Sequence, residues 1–457
     1  MVALTVNSTF DFTTSGLFAV DLIDFTKGGA IATFDASQFD GVSILDDVLV
    51  SGKSGPFVVN GIIVNGGGVD ASGWNFANWI NGRDTLTFNG TSGIDVYSGS
   101  SRKDVIFGND GADTFNTNDG SGDEFYGGRG PDFFRYQLTP GPIIDRIDGG
   151  LGKADRLSVL GAGTFDFTGA TIIDVEELRF GSGTQSVILD DSSAAASTGS
   201  IATVFGNGSV NRLEIRDAVD ADLRDMTFLN WNDAVDRIRV IVRDAHNLQI
   251  VGSGFADELI AAGGSGLLSG LDGDDLISVS SSFTGTITGG NGTDVLLAAN
   301  TGIGGEGNVI DLTGAAILFV EKLRFDNGAN VLLDYIRIGV GLGFGTNILE
   351  VEGSSGLDTL QVTGWNIDLS PVTFSNWSGD IIQLHGTDIN DNIVGSSQAD
   401  TIDGGAGSDF IFGGGGDDII ILAGNDASEG EAGNDVFVAR GIFTGTADGG
   451  TGNADRI

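Results

Sequence analysis

The chain has 457 residues, of which Gly supplies 76, Asp plus Glu 63 and Lys plus Arg 22, for a formal net charge of −41. A pI near 4.1 excludes a nucleic-acid partner, because phosphate binding rests on Lys and Arg; zero Cys excludes disulfides and thiolate metal sites. Two His are too few for a His-rich metal site, no stretch approaches the ~18 apolar residues of a membrane span, and a 40% hydrophobic share separates the chain from charged disordered tails.

Residues 1–32 precede the first repeat. Met1-Val-Ala-Leu-Thr-Val lacks the basic and apolar segments of a Sec signal peptide. Thr5-Val-Asn-Ser-Thr-Phe-Asp-Phe12 reads as a strand. It serves either as a cap on a solenoid end or as a docking strand for another subunit.

From residue 33 the chain repeats with a period near 150 residues. Asp70-Ala-Ser-Gly-Trp-Asn-Phe-Ala-Asn-Trp79 returns at Asp222–Trp231 and at Asp368–Trp377. Thr168–Phe180 returns at Thr313–Phe325, and Gly149-Gly-Leu-Gly-Lys-Ala-Asp155 returns near Gly289 and Gly449. Three markers in one order define copies at 33–178, 179–323 and 324–457, the last one incomplete. The Asn-Trp pairs at 78–79, 230–231 and 376–377 mark structural corners, with carbohydrate stacking as the alternative.

Within copy 1 a shorter period runs over 84–136. Asp84, Asp95, Asp104, Asp113, Asp123 and Asp132 are spaced by 11, 9, 9, 10 and 9 residues. Copy 2 carries a degenerate version over 236–280, at Asp236, Asn247, Asp257, Gly266 and Asp275. Copy 3 restores it over 380–438, at Asp380, Asp391, Asp400, Asp409, Asp418 and Asp435. Between these ladders, segments such as Ile201–Phe205, Arg237–Val242, Asn308–Leu312 and Val331–Ile338 alternate apolar with polar, as strands do. Asp174-Val-Glu-Glu-Leu is the nearest approach to a turn of helix. The expected fold is therefore all-β: a parallel β-roll and β-helix solenoid built from nonapeptides inside ~150-residue tandem repeats.

Gly404-Gly-Ala-Gly-Ser-Asp409-Phe-Ile-Phe and Gly413-Gly-Gly-Gly-Asp-Asp418-Ile-Ile-Ile are the clearest nonapeptides. Their chemistry points to calcium. Gly permits positive φ and close approach of carbonyls. Calcium takes six to eight hard oxygen ligands, which carboxylates of one turn and carbonyls of the next supply. Parallel stacking would place one Asp per turn at roughly 5 Å intervals, a column that repels itself without a cation. Two half-turns make one coil of 18 residues, so Asp257 and Asp275 share an edge and copy 2 retains one plausible site. Val105, Phe115, Phe125, Phe133, Ile402, Ile411, Ile419 and Val436 are expected to fill the narrow core.

The pattern G-G-x-G-x-D-x-U-x, with U apolar, resembles the RTX (hemolysin-type) calcium-binding repeats of bacteria. The candidate ligands in copy 1 are Asp95, Asp104, Gly108, Asp110, Gly111, Asp113, Asp123, Gly128, Gly130 and Asp132. Copy 2 contributes Asp257, Asp272 and Asp275. Copy 3 contributes Asp391, Asp400, Gly404, Gly405, Gly407, Asp409, Gly413, Gly414, Gly416, Asp418, Gly430, Gly433 and Asp435. Strong sites are expected in copies 1 and 3, and weak or few in copy 2.

No H-E-x-x-H, G-x-S-x-G or Walker A motif is present, so no catalytic constellation nominates itself. Paired acids such as Asp190-Asp191 and Glu176-Glu177 read as turns or ion ligands rather than glycosidase carboxylates. The resemblance implies a non-enzymatic protein exported through a type I channel, without a Sec signal. It would fold on extracellular Ca²⁺ and serve in a surface layer, filament, matrix or adhesion. Its partners would be calcium, copies of itself or surface polysaccharide. The alternative is the non-catalytic RTX region of a secreted exoenzyme or toxin; a third class is a polysaccharide-active β-helix enzyme.

Overall fold

The computed structural model describes residues 1–457 except 57, 118–121, 138–140, 191–200, 219, 243–246, 300–308, 340–346 and 453. The chain divides into two compact units: Met1–Arg216 with Asp225–Arg237, and Asp217–Arg224 with Ile238–Ile457. Each is a β-solenoid of short parallel strands. Among the described residues there is no α-helix, only 3₁₀ turns at Ala36–Gln38 and Tyr335–Arg337.

In the first unit, one ladder stacks Phe10–Asp11, Ile31–Asp35, Gly61–Asn65, Thr85–Asn89, Asp104–Asp110, Glu124–Arg129, Arg146–Gly150 and Thr171–Ile173. A second stacks Val96–Ser98, Thr114–Thr117, Phe133–Gln137, Arg156–Leu160, Glu177–Phe180, Thr203–Phe205 and Thr227–Leu229. In the second unit, Asn330–Asp334, Thr359–Thr363, Ile381–His385, Asp400–Asp403, Ile419–Gly424 and Val436–Phe443 form one face. Asn366–Asp368, Asn392–Val394, Phe410–Phe412, Ala427–Glu429 and Thr446–Asp448 form another.

Successive coils align by side-chain identity. Ile106 pairs in register with Phe125, which pairs with Ile147. Tyr97 pairs with Phe115, and Phe115 with Phe134, whose rings stack at 4.8 Å. Leu384, Ile402, Ile420 and Phe437 form the corresponding column in the second unit. These residues are 0–3% exposed.

The alternation of a strand fixes which residues enter this column. Each ladder Asp except the half-buried Asp380 is itself buried, so the residue after it points out and the second after it points in. Phe115, Phe125, Ile402 and Ile411 obey this and are buried. The expectation fails for Val105, Phe133, Ile419 and Val436, which directly follow an Asp and face outward; Ile106, Phe134, Ile420 and Phe437 take the core positions.

The strand expectations hold at Thr203–Phe205, Arg237–Val242 and Val309–Asp311; Asn308 lies outside the described residues. Val331–Ile338 is a strand only to Asp334, where the 3₁₀ turn begins. Asp174-Val-Glu-Glu-Leu is no helix turn: Asp174 is left-handed (φ 49°) and Glu177–Phe180 is a strand. Residues 3–6 pair with Val20–Phe25.

The Asn-Trp pairs are built alike three times. Asn78, Asn230 and Asn376 are left-handed at φ 53–55°, a conformation Asn tolerates. Trp79 packs edge-on against Phe25, Trp231 against Phe180 and Trp377 against Phe325. Phe76, Phe228 and Phe374 close each cluster from the preceding strand. Trp79 and Trp377 are only 5% and 9% exposed, which suits a corner rather than a sugar platform.

Candidate calcium spines

Each ladder Asp sits at the entry to its strand, where the turn meets the sheet. From the second coil of each ladder onward, Oδ1 accepts the backbone N–H of the Asp one coil earlier. In copy 1 the Asp95 N–H donates to Asp113 (2.8 Å), Asp113 to Asp132 (2.8 Å) and Asp132 to Asp155 (2.7 Å). The opposite edge runs from Asp104 to Asp123 and from Asp123 to Asp145, each at 2.8 Å. In copy 3, Asp391 donates to Asp409 (2.9 Å), Asp400 to Asp418 (2.8 Å) and Asp418 to Asp435 (3.0 Å). The carboxylates thus form continuous spines, every member 0–6% exposed.

Copy 2 carries the same spine. Asp257 donates to Asp275 Oδ1 (2.8 Å) and Asp275 to Asp294 Oδ1 (2.9 Å). Asn247 is left-handed and its N–H meets Ser265 Oγ, while Gly266 lies within the strand Gly264–Asp272.

Oδ2 divides the spine into two classes. For Asp95, Asp104, Asp257 and Asp400, Oδ2 accepts the N–H of the residue four positions earlier, Thr91, Ser100, Ser253 and Ser396, each at 2.6 Å. Asp391 is held in the same way by Thr387 (2.5 Å), whose hydroxyl adds a second bond to Oδ1 (2.8 Å). For Asp113, Asp132, Asp409, Asp418 and Asp435, Oδ2 is buried and has no hydrogen-bond partner. The residue four earlier is then left-handed: Asn109, Gly128, Gly405, Gly414 and Glu431, at φ 68–106°. That backbone turns its N–H away from the carboxylate.

The first glycine of each motif leaves a cradle. A Cβ at Gly413 would lie 2.5 Å from Asp418 Oδ2 and 2.6 Å from Gly430 O, and one at Gly404 would lie 2.5 Å from Asp409 Oδ2. Gly108 and Gly430 face Asp113 and Asp435 Oδ2 in the same manner. Gly111, Gly130, Gly407, Gly416 and Gly433 are left-handed and nest against a backbone carbonyl of the coil before. Asp110 and Asp272 stand apart from the spine: Asp110 is exposed and in register with Arg129, and Asp272 accepts from Asn291 Nδ2 (2.7 Å).

Burial pushes the open carboxyls up: Asp113 and Asp409 to about 6, Asp132 to about 7 and Asp418 to about 8. An ionised buried carboxylate with an unfilled oxygen is costly. A cation beside it removes that cost, and Ca²⁺ suits hard oxygens in flexible geometry. Among the described residues no three acidic or His side chains converge as a cluster. Each position instead offers a carboxylate oxygen and backbone carbonyls, so the donor set is hard oxygen throughout.

Sequence reasoning missed several members. Asp145 and Asp426 are buried and accept the N–H of Asp123 (2.8 Å) and Asp409 (3.1 Å), and their Oδ2 accepts from the Tyr136 hydroxyl (2.9 Å) and the Ala423 N–H (2.7 Å). Asp155 and Asp294 are fully buried, accept the N–H of Asp132 and Asp275, and have an unpartnered Oδ2. Gly289-Gly-Asn-Gly-Thr-Asp294 is a complete motif, but it served only as a long-period marker; the one-residue insertion in Gly149–Asp155 broke the nine-residue count. Beyond them, Glu176 and Glu321 accept the N–H of Asp155 (2.9 Å) and Asp294 (2.8 Å). Glu176-Glu177 is therefore divided between roles, since Glu177 pairs with Arg156 and Arg179. In the other acid pair, Asp191 lies outside the described residues.

Comparison with known families identifies two segments of the spines. The family model of the RTX calcium-binding nonapeptide repeat (4 copies) matches residues 89–123 and 385–420. These segments are RTX calcium-binding repeats. No curated protein matches the chain. The RTX segments hold the spine from Asp95 to Asp123 and from Asp391 to Asp418. RTX repeats bind Ca²⁺ and form a β-roll. Bound there, the ion supplies positive charge to carboxylates of adjacent coils.

Proposed function

We propose that this chain is a secreted, structural RTX solenoid that folds on extracellular calcium and serves in a surface layer, filament, matrix or adhesion. One observation carries the reading: stacked buried carboxylates, several with an unfilled oxygen, in a chain of net charge −41. At cytosolic calcium the spines would be a column of uncompensated charge, favouring an unfolded, export-ready chain. Extracellular calcium, in the range of modules binding at roughly 10⁻⁴–10⁻³ M, would make ion binding and folding one event. The candidate ligands are the spine aspartates with an unfilled oxygen and the carbonyls of the motif glycines. The assembly partner is a second copy or a surface polysaccharide.

Small-angle scattering of the whole chain tests this. In EDTA the radius of gyration should approach the roughly 80 Å of an unfolded chain of this length, and millimolar calcium should collapse it. A compact chain in EDTA would overturn the reading.

A further inference from the structure

The two classes of carboxylate separate by sequence. Six carboxylates whose Oδ2 is closed by their own turn share the motif Gly-[Ser/Thr]-x-x-x-Asp: Gly90-Thr91 to Asp95, Gly99-Ser100 to Asp104, Gly252-Ser253 to Asp257, Gly353-Ser354 to Asp358, Gly386-Thr387 to Asp391 and Gly395-Ser396 to Asp400, whereas Asp84 and Asp236, next to the tryptophan corners, are closed by the N–H of Ile80 and Asn232. In each of the six, the hydroxyl also bonds the carboxylate. Where Oδ2 is unpartnered in the nine-residue motif, the residue four earlier is left-handed. Along each ladder the closed half-turns at Asp95 and Asp104, at Asp257, and at Asp391 and Asp400 precede the open ones at Asp113, Asp294 and Asp409, and Asp426, between Asp418 and Asp435, is closed by the Ala423 N–H (2.7 Å).

We propose that in the nine-residue half-turns the residue four before the spine aspartate decides whether that half-turn takes a calcium ion. Ser or Thr in ordinary backbone fills the carboxylate from within and makes a metal-independent lock. A left-handed residue, usually Gly, withdraws the N–H and opens an oxygen that is buried and partnerless at Asp113, Asp132, Asp294, Asp409, Asp418 and Asp435. The locked coils at Asp95, Asp104, Asp257, Asp391 and Asp400 are then the pre-formed ends onto which ion-dependent coils stack. Asp294 makes copy 2 a calcium-binding copy. This inference rests on the reading of the spines as calcium sites.

Calcium per chain, measured on the whole protein by equilibrium dialysis with elemental analysis at saturating calcium, tests it. Thr91→Gly converts Gly90–Asp95 to Gly-Gly-Ser-Gly-Ile-Asp, and Ser354→Gly converts Gly353–Asp358 to Gly-Gly-Ser-Gly-Leu-Asp. Each should bind one ion more than the parent. Asp418→Asn and Asp294→Asn should each bind at least one fewer, with circular dichroism confirming that all are folded. If Thr91→Gly and Ser354→Gly gain nothing, the rule is wrong while the calcium spines stand. If the parent binds no calcium, the spine reading itself falls, and this inference with it.

Discussion

The backbone N–H of Asp400 donates to Oδ1 of Asp418 at 2.8 Å, while Oδ2 of Asp418, equally buried, has no hydrogen-bond partner. One carboxylate thus performs two tasks: it pins the coil before it and leaves an oxygen for an ion. Substitutions separate the tasks. Asp418→Asn keeps an acceptor for the Asp400 amide and removes the charge; Asp418→Ala removes both. Asn should raise the calcium midpoint of folding at least about tenfold, roughly 1.4 kcal/mol. Ala should cost about 1–3 kcal/mol more, the penalty of an unsatisfied buried amide. Urea unfolding in saturating calcium measures the difference, and equal effects would contradict the double role.

The core register makes a prediction that needs no metal chemistry. Ile411 is fully buried, whereas Ile419 is 42% exposed. Ile411→Ala should destabilise the calcium-loaded protein by about 2–5 kcal/mol, and Ile419→Ala by well under about 1 kcal/mol. Comparable losses in urea titrations would mean that the strand register is misread.

Acid should act in opposite directions with and without calcium. Burial raises the carboxyls of Asp113, Asp132, Asp409 and Asp418 to between about 6 and about 8 in the folded chain, against 3.8 for an ordinary Asp. Folding thus favours their protonated form. The stability this gives is complete below the ordinary value and is lost as pH rises through 6 to 8. In EDTA, β-structure should increase as pH falls from 8 to 5. With calcium, protons compete for the same oxygens, so the calcium midpoint should rise over that range. Circular dichroism at several pH values reads both trends, and a calcium-free fold that weakens toward pH 5 would contradict them.

The tryptophan corners are packing elements. Trp377 is buried against Phe325 and Phe374. Trp377→Ala should cost about 3–5 kcal/mol, and acidic or neutral glycans should leave the tryptophan fluorescence of the parent unchanged. A saturable glycan-induced shift would restore the stacking role.

Much of this molecule was legible because the period is short and strict. Nine-residue spacing of Asp with Gly-rich turns pointed to the parallel solenoid and the candidate sites at Asp113, Asp132, Asp409, Asp418 and Asp435, and the ~150-residue period pointed to the corners at Asn78, Asn230 and Asn376. The core register was half legible. Position +1 looks as apolar as +2 at Val105-Ile106 or Ile419-Ile420, and only the inward Asp breaks the tie. Asp155 escaped because an insertion lengthened its turn, and Asp294 because Asn247 and Gly266 made copy 2 look decayed. The split between locked and open carboxylates depends on the φ of a single residue, which composition does not reveal at Asn109 or Glu431.

The central claim, that the spines are folding switches, is tested most directly by circular dichroism of the EDTA-stripped chain during calcium titration, with magnesium as control. β-signal should appear cooperatively between sub-millimolar and millimolar Ca²⁺ and not with Mg²⁺, which holds its octahedral water shell too tightly for this flexible oxygen set. A chain that is already folded in EDTA and unchanged by calcium would contradict it.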